Sequence, residues 1–128
     1  MVDEQIGNYK LLQSVRSLGP PDPEQHHQSY DYYHLKDGVT LATARGDDKI
    51  LRITHNRREL AITTSKGVLV GSTESDVISV YGKDYYRRSE QGAEILGYVD
   101  KTKKRELEFW MVVVRYIPFV SIWRLWRK

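Results

Sequence analysis

Between residues 8 and 18 the apolar positions Leu11, Leu12, Val15 and Leu18 recur at helical spacing. Asn8 stands where an N-cap belongs, and Gly19-Pro20-Pro21 would stop the element. The pattern predicts a first helix over 8–18. A polar stretch from Asp22 to Ser29 follows, and then Tyr30-Asp31-Tyr32-Tyr33-His34-Leu35 alternates and is rich in aromatics, as a strand is. Lys36-Asp37-Gly38 supplies the positive φ of a tight hairpin, so residues 39–44 read as a second strand. Gly46-Asp47-Asp48-Lys49 turns the chain into a third strand over 50–54.

The second half repeats that order. Gly71-Ser72-Thr73 turns into a helix, where Thr73 and Asp76 have capping-box spacing and Val77, Val80 and Tyr81 form an apolar stripe. Gly82 sits at the C′ position, where glycine lets the chain leave a helix. A polar loop is expected over 83–91, then strands over 94–99, 107–114 and 119–126. Each half thus reads helix, glycine stop, polar loop, three strands. The expected architecture is one α+β domain spanning 1–128, built of two tandem helix–β-meander repeats with the helices packed on one face of an antiparallel sheet. Repeat 1 would cover about 7–56, a connector 57–66, and repeat 2 about 67–128.

The segment Gly67-Val68-Leu69-Val70-Gly71-Ser72-Thr73-Glu74-Ser75-Asp76-Val77, continuing to Tyr81-Gly82, resembles the turn–helix signature of small bacterial envelope proteins. Their unit is a helix plus three strands, as in the outer-membrane assembly lipoprotein BamE and the tandem-repeat β-lactamase inhibitor protein. The resemblance implies helices on one sheet face and a protein partner bound by the other face or by loops. It carries over no partner-binding residue, and the chain has no lipobox cysteine.

Composition narrows the function classes. The 128 residues are 40% hydrophobic and 29% charged, enough apolar content for a folded core. The absence of cysteine removes disulfides, thiolate metal sites and cysteine nucleophiles together. No run of eighteen apolar residues is present, so no membrane-spanning helix is expected. Met1-Val2-Asp3-Glu4 does not read as a leader, so an extracytoplasmic location is expected if a leader was removed and a cytoplasmic one otherwise. The net charge of +3 is uneven, with eight Lys/Arg against two Glu in residues 101–128. Such a basic end reads first as a sheet edge guarded against pairing.

Catalytic patterns are missing. His26-His27 lacks metal-ligand spacing, His34 ends an aromatic strand, and no nucleophile elbow or phosphate loop accompanies Gly71-Ser72-Thr73. The expectation is therefore a non-enzymatic domain with no cofactor and no metal, binding an unknown protein partner or a second copy of itself. Alternation places Leu107, Phe109 and Met111 on one strand face and Trp110 on the other, where Trp110 and Trp123 would form an aromatic patch. Tyr85, Tyr86, Arg87 and Arg88 form a second candidate patch, of residue types favoured at interfaces. The alternative is binding of nucleic acid or another anionic surface through Arg115, Arg124, Arg127 and Lys128 with Trp123 and Trp126, and nucleic acid ranks behind protein.

Overall fold

The structure is a computed structural model that describes residues 4–21, 30–55, 63–68, 70, 72–111, 117 and 119–124, with positions 119, 123 and 124 described by backbone alone. A short hairpin, β1 (Gln5–Ile6) and β2 (Tyr9–Lys10), leads into a single turn of 3-10 helix, Arg16–Leu18. Three strands follow as a meander: β3 (Tyr30–His34), β4 (Val39–Ala44) and β5 (Ile50–His55). After one helix, α1 (Glu74–Tyr81), come β6 (Tyr86–Glu90), β7 (Ala93–Asp100), β8 (Arg105–Met111) and β9 (Phe119–Arg124). All but the small hairpin join one antiparallel sheet of seven strands in the order β3-β4-β5-β9-β8-β7-β6. The two meanders meet where β5 pairs β9, with Ile53 opposite Ile122.

This overturns the expected architecture. The described residues contain one α-helix, and the molecule is mostly sheet rather than two helix-plus-three-strand repeats with helices packed on a sheet. The expected first helix is replaced by a hairpin, a turn and the 3-10 segment. Of its supposed apolar stripe only Val15 is buried, while Leu12 and Leu18 are 46% and 40% exposed. The continuous buried stripe that stabilises an amphipathic helix in a protein is therefore missing here. Hydrogen bonds hold this segment against the β4–β5 corner instead: the Leu12 N–H donates to the Ile50 carbonyl, and the Ile50 N–H to that of Gln13. The loop expected at 83–91 is largely strand β6, joined to β7 through Gln91-Gly92. Both of these residues have positive φ, as a type I′ hairpin turn requires. Most of the expected connector, residues 57–62, lies outside the described residues, as do His26, His27, residues 112–116 and residues 125–128.

The main core cluster lies on one face of the sheet, while on the other face Ile95, paired with Trp110, is also buried. Register aligns Tyr33, Leu41, Ile53, Ile122, Leu107 and Tyr98 in one row and Val120, Phe109 and Leu96 in the next. All are buried, as period-two alternation toward a single core demands. Ile6, Val15, Val68, Val70 and Val77 close this layer from outside the sheet. Helix α1 forms as its sequence implies. The Thr73 hydroxyl accepts from the Asp76 N–H at 3.1 Å and the Asp76 carboxylate from the Thr73 N–H at 3.0 Å, a complete capping box. Gly82, at φ 95°, ends the helix and donates its N–H to the Ile78 carbonyl. Beneath α1 the buried Glu4 accepts from Ser65 N–H (2.8 Å), Ser65 Oγ (2.6 Å) and Tyr81 Oη (2.9 Å), tying helix, loop and hairpin together.

Candidate interaction face of the sheet

The face opposite the core is organised by a row of hydrogen-bonding side chains. Pairing sets Tyr86, Gly97, Glu108, Ser121, Thr54, Thr40 and His34 opposite one another across all seven strands. A face meant for a second apolar layer would carry aliphatic residues at these positions, because a buried polar group without a partner costs free energy. Thr40, Thr54 and Tyr86 are half-buried and His34 is exposed.

Glu108 anchors this row. Its side chain is 1% exposed, yet it is fully bonded. Arg88 approaches it bidentately, Nε to Oε2 at 2.9 Å and Nη2 to Oε1 at 2.9 Å. The Tyr86 hydroxyl donates to Oε2 in a short hydrogen bond, and Trp110 Nε1 donates to Oε1 at 3.2 Å. The Arg88 guanidinium also lies over the Trp110 ring, 5.4 Å from its centroid, and pairs with Glu90. Burial pushes the Glu108 carboxyl up, but the hydrogen bonds from Arg88 and Tyr86 and the Arg88 charge outweigh it and hold it below the usual carboxylate range. Burial first, and then the bond to Glu108, drive the Tyr86 phenol well above its ordinary value. The bond to Glu108 likewise raises Arg88.

Gly97 makes room for this arrangement. It faces Tyr86 across β6 and β7, and a Cβ added there would fall within the Tyr86 ring. Its backbone is not in the left-handed region, so the demand for glycine comes from the aromatic ring laid over the strand.

The sequence-predicted residues divide between the two faces. Tyr86, Arg88 and Trp110 converge on Glu108. Tyr85 and Arg87 belong to the other side: Tyr85 packs edge-on against Tyr98 at 6.1 Å, and Arg87 pairs with Glu74 of α1 while lying over the Tyr85 ring. The backbone at Trp123 pairs with Arg52 and Glu106, one row along from Glu108. Glu108 was missed because a glutamate flanked by Leu107 and Phe109 reads as an ordinary outward-facing charge. The available signal was its register partner, a glycine in the middle of an apolar strand. His55 lies buried on β5 with both ring nitrogens unbonded, and among the described residues no cluster of His, Asp or Glu could hold a metal ion. No helix among them is long and apolar enough to cross a membrane.

No protein-family model matches this chain, and no curated protein matches it in sequence. Two solved structures share the fold. One is a DUF4309 family protein (YjgB) from Bacillus subtilis, at 17% identity and TM-score 0.53 over 86% of this chain and 74% of that one. The other is an extracellular protein containing an SCP domain from Bacillus anthracis, at 10% identity and TM-score 0.56 over 89% of this chain. This chain spans 44% of the latter, less than half its length.

Proposed function

We propose that this chain is a non-enzymatic protein-interaction domain of an extracytoplasmic protein, and that the sheet face bearing Tyr86, Arg88, Glu108 and Trp110 is its binding surface. The observation carrying this reading is the hydrogen-bonded cluster on Glu108, which brings an arginine, a tyrosine and a tryptophan together on a face whose central row is polar. These three residue types dominate interface energetics, and fixing them in the free protein removes much of the ordering cost of association. The extracytoplasmic placement is supported by the fold shared with an extracellular protein of which this chain matches one part. A bound partner is a protein chain able to meet the polar row with its own donors and acceptors.

The test immobilises the full chain, exposes it to the secreted and envelope proteins of its source, and compares it with Trp110→Ala and Thr40→Arg. The expected result is one partner, or a self-associated dimer by sedimentation, that both variants lose while their unfolding transitions stay cooperative. A partner retained by both folded variants, or a wild-type chain that stays monomeric and captures nothing, overturns the reading.

A further inference from the structure

Strands β7 and β8 are joined at one end of the sheet through Asp100-Lys101-Thr102-Lys103-Lys104-Arg105. Residues 101–104 form the turn and are all exposed, and Arg105 is half-buried. Four cations against the single carboxylate of Asp100 give these six residues a formal charge of +3. That equals the net charge of the whole chain, so the remaining residues balance one another. Adding the next acid, Glu106, together with Arg124, the β9 partner of Arg105, leaves the figure at +3. The molecule is an electrically balanced body with its excess positive charge gathered at one tip.

The turn keeps this charge against local costs. Lys104 has φ 54°, in the left-handed region where glycine or asparagine is the ordinary choice. Register sets Arg105 opposite Arg124, a same-charge pairing that costs stability in a sheet. Asp100 stands opposite Arg105 on the other side, and its carboxylate accepts the Lys103 backbone N–H at 3.1 Å, closing the turn. Among the described residues Lys101, Lys104 and Arg105 have no ion-pair partner. Just before the turn, Val99 is 40% exposed, an apolar side chain beside the cations.

We infer that this tip docks on the surface of a bilayer containing anionic phospholipid. Lysine is a compact charge on a flexible stem, suited to a diffuse array of phosphates, whereas a single phosphate in a built pocket favours the arginine fork. The turn contains no aromatic residue to stack on bases, the feature that single-stranded nucleic-acid binding uses. An exposed turn at the strand ends meets a charged plane with several cations at once and leaves the face bearing Glu108 free. Each cation near such a surface strengthens adsorption about fivefold, and the attraction fades within a Debye length. Docked this way, Val99 reaches the headgroup boundary, where apolar area adds to the electrostatic attraction.

The test sediments the full-length chain with vesicles of phosphatidylcholine alone and of phosphatidylcholine mixed with phosphatidylglycerol, at low and at physiological salt. Soluble polyphosphate serves as a polyanion without a bilayer. Binding is expected to the mixed vesicles only, and to weaken as salt rises. Lys101→Gln and Lys103→Gln should each weaken it about fivefold. Lys36→Gln removes the same charge from the β3–β4 turn, at the opposite end of the sheet, and should leave binding unchanged. All three positions are exposed, so thermal midpoints should match the wild type. The proposal is overturned if the mixed vesicles retain no more protein than phosphatidylcholine alone, or if Lys101→Gln and Lys103→Gln bind as the wild type does. It is equally overturned if Lys36→Gln weakens binding as much as they do, or if polyphosphate binds the chain as tightly as the mixed vesicles.

Discussion

Glu108 accepts hydrogen bonds from three side chains while almost fully withdrawn from water, so its contribution depends on its charge. Glu108→Gln should cost about 2–3 kcal/mol, less than the full loss from a deeply buried pair because Arg88 is a third exposed and regains water. The folded carboxyl titrates below its unfolded value, so in that window the unfolded state binds more protons. The stabilisation is therefore present above the ordinary glutamate range of ~4.3 and is lost as pH falls through the folded pKa. Denaturant midpoints measured across the acid range should fall less steeply in the glutamine variant than in the wild type. Gly97→Ala forces the Tyr86 ring off the strand and away from Glu108, at a cost of about 2–4 kcal/mol. The same change made in a Tyr86→Ala background should be nearly neutral, and a double-mutant cycle by urea unfolding measures the difference. Sequence reasoning found Tyr86, Arg88 and Trp110 by residue type, but it could not place their meeting point. Which side chains share a face depends on strand pairing, and pairing is fixed by contacts far apart in the chain.

At the scale of elements, the legible parts were those whose local chemistry agreed with their environment. The Thr73–Asp76 box and Gly82 mark α1, and the structure has a helix there. Thr73→Ala should lower stability by about 1 kcal/mol, read as a drop in the thermal midpoint with no loss of cooperativity. β3, β4, β5, β7 and β8 also lie where alternation and turn residues indicate. β6 did not read as a strand because Tyr86-Arg87-Arg88-Ser89-Glu90 has a charged edge composition with no aliphatic face, the form edge strands take to avoid pairing with other chains. The segment 8–18 carries helical spacing without a helical fate. Leu12 and Leu18 are exposed, and the chain gains its backbone hydrogen bonds from the β4–β5 corner instead. Periodicity reports which positions are apolar, and burial decides whether that periodicity is used.

Across the whole molecule, buried and half-buried tyrosines pack on both faces of the sheet. Burial first, with nearby carboxylates adding to it, raises the phenols of Tyr9, Tyr81 and Tyr86, and burial with neighbouring charges pushes Tyr98 up to about 12. A group with a raised folded pKa gives stability that is complete below its unfolded value, ~10 for tyrosine, and is lost as pH rises toward the folded one. The protein should thus weaken progressively under alkaline conditions. Urea midpoints should decline above pH ~10, and the tyrosinate absorbance of these raised phenols should develop together with unfolding. A flat midpoint through that range would contradict the reading of these phenols as held neutral by their packing.

The seam between β5 and β9 bears on how the chain reaches this state. Ile53 and Ile122 are adjacent in space but roughly seventy residues apart in sequence, whereas every other pairing in the large sheet joins consecutive strands. Each meander can assemble from near neighbours, but joining them requires closing the longest loop in the sheet, a slow entropic step. Until it closes, β5 and β9 are both open edges with unpaired backbone groups and core residues beside them. Two molecules at that stage could satisfy each other's edges by exchanging meanders, giving a swapped dimer with the same hydrogen bonds as the monomer. Refolding at high protein concentration is where such a species would accumulate.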